Sequence, residues 1–154
     1  MDHIKKITGT VEAMGQSELT LQQTQYAYLR IKDDAGNVRL IKNVVVPNTV
    51  DSYLSPGEAG EFYLAKYSRK RSMLFAYKND EKKVFNGEEI KSMITRARIY
   101  GISMATLSLP LSILIFTLPL TLPALFYSYL LTFKIPSRLN NRTFRKYLLA
   151  DGWR

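Results

Sequence analysis

From Ile99 to Phe133 the chain runs for 35 residues without a single charge. A buried helix of an ordinary domain has no need of an uncharged run above about 18 residues. Drawn as one straight helix the tract would reach ~52 Å, and a bilayer's hydrocarbon layer is only ~30 Å thick. The expected solution is a helical hairpin that enters a membrane and doubles back. Its first arm is Ile99–Phe116. Thr117–Pro123 breaks the helix with two prolines, Pro119 and Pro123, because proline lacks the N–H and crowds the preceding turn. The return arm ends at Phe133, shortly before Pro136. A re-entrant wedge and a single tilted span are the alternatives, since the tip has only threonines for polarity and tilt absorbs part of an excess length.

The charges around the tract give it a location. Lys82, Lys83, Lys91, Arg96 and Arg98 precede it, and Lys134, Arg138, Arg142, Arg145 and Lys146 follow it. Basic residues mark the cytoplasmic side of a span. Matched basic flanks therefore predict two cytoplasmic termini and an inner (cytoplasmic) membrane location. Arg96, Arg98, Lys134, Arg138, Arg142, Arg145 and Lys146 are read as membrane-edge cations facing anionic headgroups. The formal charge of +9 follows the same division: residues 1–90 hold 13 Lys and Arg against 12 Asp and Glu, and residues 91–154 hold nine against one. The near-neutral N-terminal part argues against nucleic acid as a partner, because that affinity grows with the phosphates neutralised.

Gly101, Ala105, Ser108 and Ser112 are spaced to share one face of the first arm. Small residues let helix backbones approach closely, so this line predicts packing against the second arm or against another copy of the chain. No ionisable residue lies inside the tract, which speaks against a pump or proton-driven transporter. Met1–Lys6 does not lead into an apolar stretch, so no secretory leader is expected.

Residues 4–86 read as β structure. Apolar and polar residues alternate in short runs at 4–12, 19–21, 26–31, 38–46, 61–67, 73–77 and 84–85, separated by Gly15-Gln16-Ser17, Asp33-Asp34-Ala35-Gly36-Asn37 and Pro56-Gly57. Strands of this number and spacing predict a small antiparallel barrel of the OB or SH3-like kind, with a longer connection at 47–57 that has room for one helical turn. The overall expectation is an α+β membrane protein: residues 1–86 a β-barrel, 87–98 a connecting helix capped by Asn86, 99–133 the hairpin, and 134–154 a basic amphipathic tail. In that tail Phe144, Tyr147 and Leu148 share a face. The tail is expected to lie on anionic lipid with Trp153 at the headgroups, or to pack on the barrel.

Chemistry leaves few marks. There is no cysteine and one histidine, His3, so thiolate metal sites and histidine acid–base pairs are excluded. Asp33-Asp34, Asp80-Glu81 and Glu88-Glu89 sit in turns or at a helix start, where each has a structural use. No enzyme activity and no cofactor are expected. The candidate contact surface is the 62–77 hairpin, with Tyr63, Tyr67, Arg69, Lys70 and Arg71. Aromatics around a basic turn on a barrel can stack single-stranded bases; equally, they are the barrel core beside a solvated turn. The function expected is a membrane-anchored protein-binding or assembly module, with single-stranded nucleic-acid binding through this hairpin as the alternative. The partners implied are anionic lipid and another protein or a second copy of the chain.

Overall fold

A computed structural model of the chain describes residues 3–111 and 118–153. In chain order its strands are β1 (Ile4–Met14), β2 (Ser17–Leu19), β3 (Gln23–Lys32), β4 (Val38–Pro47), β5 (Ala59–Lys66), β6 (Ser72–Lys78) and β7 (Lys83–Val84), with a one-turn helix α1 (Asn48–Asp51) after β4. β1 pairs antiparallel with both β3 and β5, β3 with β4, and β5 with β6. A parallel contact of Val44-Val45 with Ser72-Met73 closes the ring. Five strands joined in this order, with a short helix between the third and fourth, make a Greek-key barrel of the OB kind.

β1 serves two neighbours because it bends. Ile4–Thr10 runs along β5, and Thr10–Met14 runs along β3. The changeover falls at Gly9, which has φ 156°, and a Cβ there would press into the Lys32 carbonyl. Only glycine tolerates both the conformation and the close approach. The β3–β4 turn is held by Asp33, whose Oδ1 accepts from the Asn37 N–H at 2.8 Å. The expected strand at 19–21 differs: β2 is Ser17–Leu19, and Leu21 lies outside it, 89% exposed.

Two apolar clusters hold the molecule together. Inside the barrel Val11, Leu29, Ile31, Val44, Phe62 and Leu74 meet. The second lies on the outer face of β5 and β6, where Tyr63, Ala65, Met73 and Phe75 are covered by Ile90, Phe144, Leu148 and Trp153. Ile90 belongs to α2 (Gly87–Leu111) and the next two to α5 (Asn141–Ala150). Both faces of β5 and β6 are therefore dry, which is why these strands read as nearly unbroken apolar runs. Asn86 caps α2 by accepting from the Glu89 N–H at 3.1 Å. Glu89 in turn accepts from the Asn48 and Thr49 N–H groups at 2.9 and 3.3 Å. The start of α2 is thereby locked to α1 and to the barrel.

The membrane expectation is overturned. Among the described residues no helix is long and apolar enough to cross a membrane. α2 has 25 residues, but Glu88, Glu89, Lys91, Arg96 and Arg98 occupy its first half. The rest of the uncharged tract is divided. α3 (Leu118–Tyr129) has 12 residues, a rise of ~18 Å. A π-helical turn, Leu130–Lys134, and a one-turn helix α4, Ile135–Arg138, follow it. The break expected at 117–123 falls differently too. Thr117 lies outside the described residues, Leu118–Pro123 is the first half of α3, and Pro123 stands inside that helix. A transmembrane hairpin, a membrane fold class and an inner-membrane location with two cytoplasmic termini do not stand. Both arms were expected to be apolar throughout, whereas the described part of the first arm continues a helix that begins in charged residues and the described part of the second is only 12 residues of α-helix.

Of the two destinations expected for the tail, lipid or the barrel, the chain takes the barrel. Phe144 and Leu148 of α5 are 0% and 2% exposed against it, and Trp153 is buried rather than free to anchor at headgroups.

Candidate functional site

The 62–77 hairpin is the turn between β5 and β6, and its aromatics are core. Tyr63, Phe75 and Tyr77 are fully buried, and Tyr67 nearly so. Phe75 stacks on Phe144 with ring centroids 4.1 Å apart, and Phe62 packs on Tyr77 at 5.3 Å. None of these rings can act as a stacking platform for a base. Strand alternation explains the outcome: Phe62 and Tyr77 face the barrel interior, while Tyr63 and Phe75 face the second cluster.

Tyr63 is the centre of the densest polar group. Its hydroxyl faces Glu61 Oε2 at 2.7 Å and Asp151 Oδ2. Its one proton serves one carboxylate at a time, and its oxygen accepts from Trp153 Nε1 at 3.2 Å. Lys6 Nζ donates to Asp151 Oδ2 and pairs with Glu61 Oε1, each at 2.9 Å, and Lys78 reaches Glu61 Oε2 at 3.2 Å. Burial and the Asp151 carboxylate push the Tyr63 hydroxyl far above its ordinary pKa. Burial alone would raise Asp151, but hydrogen bonds from Tyr63 and Lys6 outweigh it and hold the carboxyl below its ordinary value. Sequence reasoning missed this group because its members lie on three elements and at the far end of the chain. It joins the C-terminus to β1 and β5, and each member's partner is another member, so it is a lock rather than an open site.

The three basic residues of the turn part company. Arg71 lies beside Tyr67, whose hydroxyl is pushed up by burial and pulled partly back by that guanidinium. These two and Arg96 line a cleft of about 480 Å³ between the barrel and the helices. Arg69 and Lys70 line a different cleft, of about 640 Å³, with Lys5, Arg39, Lys42 and Lys66. Those last four were not singled out in the sequence. Spread over three strands, they form no run that a linear reading detects.

In the helical arm the small-residue line faces α3. The Ser128 hydroxyl donates to the Gly101 carbonyl at 2.6 Å. A Cβ on Gly101 would stand 3.1 Å from both the Ser128 carbonyl oxygen and Leu131 Cβ. Ala105 is half-buried and Ser108 buried, the latter donating to the Met104 carbonyl at 2.7 Å. Ser112 lies outside the described residues. Arg96, Arg98, Lys134, Arg138, Arg142, Arg145 and Lys146 are all exposed. The arm's large apolar side chains are exposed too: Tyr100 70%, Leu107 71%, Phe126 60% and Tyr127 61%.

Members of two of the three carboxylate pairs have structural partners. Asp33 holds its turn, Glu89 caps α1, and Glu88 pairs with Lys91 at 3.6 Å. Among the described residues no three His, Cys, Asp or Glu come together to hold a metal ion. No protein-family model matches the chain, and no curated protein or solved structure matches it. An OB barrel hosts many unrelated functions, so the reading of function rests on this chain's own surfaces.

Proposed function

We propose that the chain is a non-catalytic binding module that assembles with protein, another protein or a second copy of itself, through the arm formed by α2 and α3. The observation that carries this is the contrast between the two halves of the molecule. The barrel buries most of its large apolar side chains and leaves only Leu19, Leu21 and Leu40 more than half exposed among its described residues, whereas the arm and the turn after it leave Ile99, Tyr100, Ile102, Leu107, Phe126, Tyr127 and Phe133 so. Continuous exposed apolar surface of this kind marks an interaction surface, and aromatic side chains are enriched at the centres of protein interfaces. The lock at Glu89 and the Gly101–Ser128 contact support a rigid presentation of that surface. The internal pairing of Lys6, Glu61, Tyr63 and Asp151 supports a binding rather than a chemical role.

The test is photo-crosslinking in cells from a reactive residue at Leu107 or Phe126, with light scattering on the purified chain. The expected outcome is a discrete crosslinked protein band or a concentration-dependent oligomer. Glutamate at both positions should abolish whichever is found. A chain that stays monomeric at every concentration and yields no crosslink to protein would refute the reading.

A further inference from the structure

We propose that the cleft framed by the start of β1, the first half of β4 and the β5–β6 turn binds the phosphate backbone of a single-stranded nucleic acid. Lys5, Arg39, Lys42, Lys66, Arg69 and Lys70 line it, and no carboxylate is among its lining residues. All six are exposed. Arg39 has one long ion pair, to Asp33 at 3.8 Å. The other five have no ion pair among the described residues, although residues 1–90 contain almost as many acids as bases. The near-neutral total therefore conceals a segregated distribution. Glu61 and Asp151 are occupied by Lys6 and Lys78, and Glu12 by Arg30, while this cleft is left with uncompensated positive charge.

The fold makes the cleft. Asn43 has φ 51°, a left-handed conformation that asparagine tolerates better than most residues. It stands directly before Val44-Val45, the only stretch of β4 that pairs with β6 among the described residues. Ahead of that kink β4 pairs with β3 alone, so Val38–Lys42 swings clear of β5 and β6 and opens the barrel on that side. The cleft floor is then apolar, made of Ile7, Ile41 and Leu64, with Leu40 on its rim 53% exposed.

A cationic rim over an apolar floor matches an extended strand of phosphates whose bases turn inward. Long lysine and arginine side chains reach phosphates individually, and the floor takes the faces of unpaired bases. The site differs from the hairpin aromatics considered in the sequence, which the fold buries, and it is separate from the exposed arm.

The experiment uses the full chain and fluorescence anisotropy with a labelled oligothymidylate of twenty nucleotides, over a range of salt. Binding should weaken with salt. The pair Lys42→Glu with Arg69→Glu should weaken it at least tenfold and flatten the slope of log K against log salt by about 1.4, at roughly 0.7 per lost phosphate contact. The pair Arg145→Glu with Lys146→Glu makes the same change in net charge on α5 and should leave the affinity within about threefold. Trp153 fluorescence confirms the fold of each variant. The proposal is overturned by an absence of salt-dependent binding, by equal losses in the two pairs, or by poly-glutamate binding as tightly as the oligonucleotide, which would make this an acidic-protein site instead.

Discussion

Trp153 is the chain's only tryptophan, and its indole N–H is held by the Tyr63 hydroxyl. Its emission therefore reports directly on the C-terminal lock. The lock depends on pH in a definite direction. For Asp151, burial opposes ionisation, but hydrogen bonds from Tyr63 and Lys6 win; for Glu61, burial is likewise outweighed by Lys6, Tyr63 and Lys78. Both carboxyls sit below their ordinary values of 3.8 and 4.5. A group whose pKa is lower folded than unfolded contributes stability above the unfolded value and loses it as pH falls through the folded one. Lys6 is opposite: burial would lower it, but Glu61 and Asp151 raise it above 10.5, so its contribution is full below that value and fades above it. Acidification below the ordinary carboxylate range should therefore shift Trp153 emission to the red. In Asp151→Asn most of that acid step should already have occurred at neutral pH. An emission spectrum unchanged from neutral pH to pH 2 would show that these ion pairs do not hold the terminus. None of this was legible in the sequence, where Asp151 is merely the lone acid of a basic tail.

Among the elements, α5 shows how a correct pattern can carry a wrong destination. Its apolar face was visible in the spacing of Phe144, Tyr147 and Leu148; its start is capped by Asn140, whose Oδ1 accepts from the Arg142 N–H at 3.0 Å. Which surface that face meets depended on β5 and β6 having a second apolar side, and this became evident only once the barrel had assigned Tyr63 and Phe75 outwards. Phe144, fully buried and stacked on Phe75, should be the costliest residue of the helix. Phe144→Ala is expected to destabilise the protein by about 3–5 kcal/mol, the range for removing a large buried aromatic, measured by denaturant unfolding. A loss below about 1 kcal/mol would mean that the helix rests only loosely on the sheet. In α2 the cap at Asn86 and the small-residue face were both readable locally. Gly101 meets Ser128 at 27 residues' separation, and the sequence could say only that some close neighbour was required.

For the whole molecule the two clusters share β5 and β6, each burying one face of the same strands. The barrel and the tail should therefore unfold together. Far-ultraviolet dichroism, reporting the strands and helices, and Trp153 emission, reporting the tail, are expected to give coincident melting curves, as a single cooperative transition requires. An earlier fluorescence transition would separate the tail from the barrel. The strands, the turn at Asp33–Asn37, the basic turn within the 62–77 hairpin and the apolar arm were all written in short-range patterns, because alternation, turn chemistry and charge-free length are properties of neighbours along the chain. The closing pair of β4 with β6, the covered outer face and the gathering of Lys5, Lys42, Lys66 and Arg69 into one cleft were settled by folding alone. They bring together residues tens of positions apart, and burial and charge are decided by what stands opposite a side chain rather than by what precedes it.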